Sequence, residues 1–338
     1  MNIALIGFGV VGQGFVEALH KKSMQLQDEH SFSAQVVAVT TRSRGALYHP
    51  DGLDLQALLE TGGGPLADYP DTDGLQRDLS TMQIITESNA HVIVELAYSN
   101  LETGQPAIDH VKAAFNASKH VVLANKGPVA LAFAELNALA AEKGVQFLYE
   151  ATVMAGTPSL QLAQQAMRGT TIFSVRGILN GTTNYILTRM EAGMPYAAAL
   201  AESQEKGYAE ADPTADVDGW DAAGKVLILA GALFGKTLTF DDMDVQGIAH
   251  LMPEDIETAA AAGERYKLIA EATPDGGSVK PVRLPVSNPL AGVGGATNAI
   301  TLSTDLMGDV TLIGAGAGKL ETGFAILSDI LLIHDRTK

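Results

Sequence analysis

Met1–Gly12 reads MNIALIGFGVVG. A short aliphatic run, Asn2–Ile6, leads into Gly7, Gly9 and Gly12, and an amphipathic stretch from Gly9 to Lys21 follows with Phe15 and Leu19 on one face. A strand, a G-x-G-x-x-G turn and a helix in that order are the setting in which this spacing carries meaning. Gly7 allows the tight turn, Gly9 lets the backbone approach a pyrophosphate, and Gly12 allows close packing of helix on strand. Val10 and Val11 open the helix, where free N–H groups and the positive end of the helix dipole meet a phosphate. The stretch therefore predicts a dinucleotide site; an ordinary glycine-rich turn is the plainer alternative.

Downstream, β-branched runs alternate with amphipathic stretches, which argues for a parallel sheet. Strands are expected at Ala34–Thr40, His91–Leu96, His120–Ala124 and Val145–Tyr149, and helices near Gln105–Ser118 and Leu131–Lys143. Gly144 is placed to end the last of these. Between about Arg44 and Thr81 the pattern weakens, and Gly62-Gly63-Gly64-Pro65 suggests surface excursions. The second strand runs into Thr40-Thr41-Arg42-Ser43-Arg44, with no carboxylate for a ribose 2′-hydroxyl and with guanidinium groups that suit a 2′-phosphate. NADP(H) is therefore expected in preference to NAD(H), with Arg42 at the phosphate; solvated loop arginines are the alternative.

The chain has 338 residues, 22 Lys+Arg and 39 Asp+Glu, for a net charge of −17. Such an acidic protein is repelled by phosphate backbones and anionic lipid, so neither nucleic acid nor a membrane is an expected partner. There is no cysteine. Disulfides, Cys-ligated metals and every thiol nucleophile are excluded, and with them aldehyde oxidation through a thioester. No apolar run reaches the length of a membrane span, and the N-terminus lacks the basic flank and cleavage site of a signal peptide. A soluble, cytoplasmic protein is the expectation.

From Glu150 the character changes to α+β. Helices are expected at Pro158–Arg168, Asn184–Ala192 and Asp221–Phe234, and strands at Thr170–Leu179, Val279–Pro285 and Ala299–Leu306. The tail, with Val310–Ile313, Gly314–Gly318 and a final helix, returns to the first style and is expected to pack back on the first domain. Four polar or glycine-rich segments stand out. Ala124-Asn125-Lys126 follows a strand, at the edge where open parallel sheets bind ligands, and Lys126 can reach a substrate or a nicotinamide. Glu150–Pro158 joins a carboxylate to a small-residue turn, oxygen-rich enough for a hard monovalent cation, though by sequence alone a tight turn between domains is the preferred reading. Asn180–Tyr185 reads as a capped helix start or a polar floor under a substrate. In Gly207–Lys225, five carboxylates precede one lysine, and Asp221 and Lys225 share a helix face. An i,i+4 surface pair is the bland reading. Val226–Ala230 is apolar, however, so Lys225 is taken out of water, which suits a proton-transfer group.

Together, ANK at 124–126, EATVMAGTP at 150–158, GILNGTTNYIL at 177–187 and GYAEADPTADVDGWDAAGK at 207–225 closely resemble homoserine dehydrogenase over nearly the whole chain. The resemblance implies the NAD(P)-dependent interconversion of L-aspartate 4-semialdehyde and L-homoserine, on the threonine and methionine branch of aspartate metabolism. It implies Lys225 as acid/base, Glu210 and Asp221 as substrate carboxylates, and Lys126 near cofactor and substrate. It implies a sodium ion on Glu150, Val153, Ala155 and Thr157, glycines near the cofactor at Gly207 and Gly318, and a homodimer. The implied fold is an α/β Rossmann-type nucleotide-binding domain plus an α+β catalytic and dimerisation domain, here expected at 1–135 and 136–309, with 310–338 returning to the first. The chain departs from the family in four places. It ends at Lys338, where many members continue into an ACT domain, so feedback by threonine through such a domain is not expected. Ser23–Phe32 lengthens the link between first helix and second strand. Glu321-Thr322-Gly323 stands where Pro-Thr-Ala is frequent, and Met154 where Gly is frequent. The rivals are another amino-acid dehydrogenase and a catalytically silent dinucleotide sensor, which would not need Glu210, Asp221 and Lys225 together.

Overall fold

The computed structural model describes all 338 residues. Its contacts divide the chain into two units, Met1–Gly156 with Gly318–Lys338, and Thr157–Ala317. The second is thus inserted into the first.

In the first unit, β1 (Asn2–Ile6) is followed by α1 (Val10–His30), β2 (Gln35–Thr40), β3 (Ala46–Tyr48), α2 (Leu55–Glu60) and α3 (Thr81–Glu87). Then come β4 (Val92–Glu95), α4 (Ala107–Asn116), β5 (His120–Leu123), α5 (Lys126–Lys143) and β6 (Phe147–Leu148). The sheet order is β3-β2-β1-β4-β5-β6, parallel except for β3, which runs antiparallel to β2 at the edge. The chain order reverses between β1 and β4, the switch point where a doubly wound sheet opens a crevice for its ligand. In register, Ile6 lies beside Glu95 and Glu95 beside Leu123, so the loops after β1, β4 and β5 leave the sheet along one edge.

The first helix is longer than its apolar pattern suggested. Ser23–His30 continues α1 as a surface turn in which only Leu26 is buried, and an αL Ser31 ends it. Residues 44–81 are an excursion only in part: Leu47, Leu53, Leu58, Leu66 and Tyr69 join the first core, whereas Gly62 and Pro65 are exposed and no residue of 70–81 is buried.

In the second unit, α6 (Ser159–Gln161) leads into one π-helical turn at Leu162–Ala166. After it come β7 (Ile172–Ile178), α7 (Gly181–Glu191), α8 (Tyr196–Glu205), α9 (Thr214–Val217), α10 (Trp220–Phe234), β8 (Met243–Val245) and α11 (Pro253–Ala261). The strands β9 (Glu264–Thr273), β10 (Gly276–Pro285), β11 (Thr297–Thr304) and β12 (Gly308–Ala315) complete a second sheet, ordered β12-β11-β7-β9-β10-β8. It is antiparallel except for β8 beside β10. Gly277 on β10 has no room for a Cβ, because Val226 of α10 packs directly against it. That contact sets α10, and with it Lys225, on the sheet.

Two boundaries differ from the sequence reading. The first unit runs past 135 because β6 pairs with β5 in the first sheet, with α5 as the crossover between them. Val310–Ile313 lies in β12 and pairs along its length with β11, so the return to the first unit starts only at Gly318. From there α12 (Lys319–Thr337) lies along α1. Ile326, Ile330 and Ile333 enter the first core, each such burial contributing roughly 1.5–3 kcal/mol. The two helices cross at glycines: a Cβ on Gly14 would overlap the Lys319 carbonyl, and one on Gly323 the Gly14 backbone. This crossing gives Gly323 its reason. Glu321 packs its own backbone against Gly156, where a Cβ would come within 2.8 Å of its carbonyl carbon.

Candidate active site

In the first unit the glycine turn has the geometry its spacing requires. Gly7 sits at φ +111°, and a Cβ there would lie 2.7 Å from the Leu96 carbonyl oxygen. That backbone is open to glycine and costly to other residues. Gly12 faces the Gly7 carbonyl, 3.1 Å from where a Cβ would be, so helix and turn are in contact. Gly9 has nothing within 4 Å on that side. It precedes a 21-residue helix whose N-cap makes no side-chain hydrogen bond, and Val10 beside it is exposed while Val11 is half-buried. A bare helix N-terminus next to an open glycine fits a pyrophosphate.

Arg42 is exposed at the end of β2. Arg44 is not available with it: its guanidinium donates to the Phe8 carbonyl (2.6 Å) and to that of Gly63, fastening the Gly62–Gly64 loop beside the glycine turn. The arginine pair expected at a 2′-phosphate is thus reduced to Arg42.

Asn125 caps α5 through Gly127 N–H (3.0 Å), and its amide donates to the carbonyls of Ala97 and Tyr98. Lys126 is the first helical residue, half-buried, with its N–H on Ser99 Oγ. The sequence reading missed what supports this loop. Glu95, fully buried, takes the Ala97 N–H on one oxygen (2.7 Å) and His110 Nδ1 on the other (2.7 Å). Glu95 and His110 are fifteen positions apart, and only the fold brings them together.

Glu150 is buried, and its N–H donates to Asp329 Oδ2 on α12 (2.9 Å). Met154 and Ala155 follow at φ +60° and +47°. Met154 therefore keeps the backbone a glycine would take, at a cost of roughly 1–2 kcal/mol. Carboxylate and carbonyl oxygens suit a hard monovalent cation. No three His, Asp or Glu side chains cluster to hold a metal ion. Thr157, the fourth expected ligand, is the first residue of the other unit and donates its hydroxyl to the Ala315 carbonyl (2.9 Å). Gly318 belongs to the first unit, as the N-cap of α12, whereas Gly207 belongs to the second and stands exposed after α8 at φ +74°.

In the second unit the two most polar segments meet. Thr182 Oγ1 donates to the Tyr208 carbonyl (2.6 Å), and the rings of Tyr185 and Tyr208 are 5.0 Å apart. Lys225 is 7% exposed. Its Nζ donates to the Leu179 carbonyl (2.5 Å) and to Asp221 Oδ2 (2.7 Å), so the pair is no surface decoration. Asn180 Nδ2 donates to Asp221 Oδ2 (3.0 Å) and to Asp216 Oδ1 (2.7 Å). Burial pushes the Asp216 carboxyl above its ordinary range and the Asp221 carboxylate adds to this, while the Asn180 amide and Lys225 pull it down. Glu210 stands outside this network, with its side chain exposed. The sequence marks Asn180–Tyr185 as a capped helix start or a polar floor and counts Asp216 among five carboxylates, but assigns neither Asn180 nor Asp216 a role of its own.

Residues 7–150 match the family described as homoserine dehydrogenase, NAD binding domain, and residues 158–331 the family described as homoserine dehydrogenase. The homoserine dehydrogenase of Methanocaldococcus jannaschii is 42% identical over 341 residues, 100% of either chain. The NAD(+)-dependent homoserine dehydrogenase of Pseudomonas canavaninivorans is also 42% identical, over 98% of this chain and 96% of its own. A hyperthermophilic archaeal homoserine dehydrogenase in complex with NADPH superposes with a TM-score of 0.84 at 28% identity, covering 99% of this chain and 98% of that one. With a glycine-turn Rossmann sheet in one unit and a buried lysine paired with an aspartate in the other, the chain belongs to the homoserine dehydrogenase family.

Proposed function

We propose that the chain interconverts L-aspartate 4-semialdehyde and L-homoserine with Lys225 as the proton donor and acceptor. The observation that carries this role is the buried Lys225 ammonium, fixed by the Leu179 carbonyl and Asp221. A dinucleotide whose pyrophosphate is held at the glycine turn would supply the hydride in reduction and accept it in oxidation. Lys225 delivers a proton to the aldehyde oxygen, directly or through a water it orders, and recovers it from the alcohol. Asp221 holds Lys225 in place and binds substrate beside it. Exposed Glu210 takes the substrate's ammonium, and Lys126 reaches substrate and nicotinamide. Absorbance of the reduced nicotinamide with L-homoserine as substrate tests the reaction; no turnover with either dinucleotide overturns it.

NADP(H) is the preferred cofactor in this reading, with Arg42 as its determinant. One charged hydrogen bond to a phosphate is worth about 1.5–3 kcal/mol. Arg42→Ala therefore raises the KM for NADP⁺ by about 10–100-fold and leaves that for NAD⁺ unchanged. Equal effects on both, or a wild-type preference for NAD⁺, would remove the role. A structural sodium ion on Glu150 and the Val153, Ala155 and Thr157 carbonyls, a homodimer and a cytoplasmic location complete the reading. No helix is long and apolar enough to cross a membrane. Phe173, Leu306, Met307 and Ile313 give the second unit exposed apolar surface to bury in a dimer.

A further inference from the structure

Asn180 does two things with one amide. Its Oδ1 accepts from the Thr183 N–H (2.9 Å) and the Thr183 hydroxyl (2.9 Å), capping α7. With Oδ1 committed to the cap, Nδ2 points the other way and donates to Asp216 and Asp221. Asp221 Oδ2 then has two donors, the neutral Asn180 amide and the charged Lys225 amine. The residue before Asn180 supplies the carbonyl that holds Lys225. One strand-to-helix junction thus fixes both ends of the Asp221–Lys225 pair.

A cap alone does not select asparagine, since Asp and Ser cap about as well. The neighbouring carboxylates do. An amide carries an acceptor and two N–H hydrogens with no net charge. Aspartate here would crowd a third carboxylate against two, and serine has a single hydrogen to give. We propose that Asn180 is a positioning residue for the proton transfer: its amide, locked by the helix cap, bridges Asp216 and Asp221 and so aims Asp221 at Lys225. The charged groups its amide meets are Asp216 on α9 and Asp221 on α10, with Lys225 one bond further on. This rests on Lys225 as the proton-transfer group.

Asn180→Asp and Asn180→Ser separate the two jobs, because both keep a cap acceptor and neither can bridge two carboxylates. The expected result for each is a folded protein with unchanged dinucleotide affinity and a kcat lower by about 10–100-fold, the scale of a small misplacement of a reacting group. In Asn180→Asp the added negative charge favours the protonated forms around it, so the acid limb of the kcat profile moves to higher pH; in Asn180→Ser it moves less. Placed on Lys225→Ala, Asn180→Ser adds no further loss, because the two act through one unit. Wild-type kcat and pH profile in both single variants overturn the proposal and leave Asn180 as a cap. Multiplying losses in the double variant, or failure of both single variants to fold, overturn it as well. If Lys225→Ala itself turns over at the wild-type rate, the reading of Lys225 falls and this proposal with it; if Lys225→Ala is slow and the Asn180 variants are not, only this proposal falls.

Discussion

Lys225→Ala leaves a folded protein whose kcat is lower by about 10²–10⁴-fold, the usual contribution of a positioned general acid. The fold survives because the removed amine serves a neighbourhood that keeps other bonds. Asp221 is partly exposed, at 18% of its side chain, and retains the Asn180 amide. The apolar run Val226–Ala230 that seats α10 is untouched. Dinucleotide affinity stays near wild type, since the pyrophosphate is held by the backbone of the glycine turn and not by the Lys225 side chain. Steady-state rates, a binding titration with the cofactor and a circular dichroism melt check the three statements. Wild-type turnover by the variant would take Lys225 out of the reaction.

Gly14→Val is expected to have the largest effect on stability. Its side chain would occupy the Lys319 carbonyl, and backbone cannot step aside as a flexible side chain does. Overpacking of this kind costs about 3 kcal/mol, the upper end of its usual range. For a unit of this size that lowers Tm by about 6–12 °C. Gly323→Val meets the same crossing from the other helix and should behave alike. An unchanged melting temperature in both would show that α1 and α12 do not approach as closely as described.

What the sequence made legible was local chemistry. Gly7, Gly9 and Gly12 could be assigned separate jobs because each job follows from the absence of one Cβ beside a strand and a helix. Asp221 and Lys225 could be paired because the helix period puts them on one face. The misses come from structure that is short or distant. Residues 44–81 supply core through scattered single residues such as Leu47, Leu58 and Leu66, too sparse to leave a period. Ser23–His30 is helix held by exposed polar contacts such as Gln25 to Glu29, which no apolar stripe announces. Val310–Ile313 has the composition of a parallel strand, and only its pairing with β11 assigns it to the other sheet. Glu95 and His110, or Asn180 and Asp216, become neighbours through tertiary packing, and nothing in their spacing says so.

The return of α12 to α1 also bears on how the protein is made. Phe15, Val16 and Leu19 of α1 leave the ribosome well ahead of the helix that lies along them, which begins roughly 300 residues later. At a synthesis rate of ~5–20 residues per second, that is a delay on the order of fifteen seconds to a minute. Throughout it the nascent first unit lacks its last helix while the inserted unit, already complete by Ala317, is free to fold. In that interval the face of α1 that α12 later covers is still exposed.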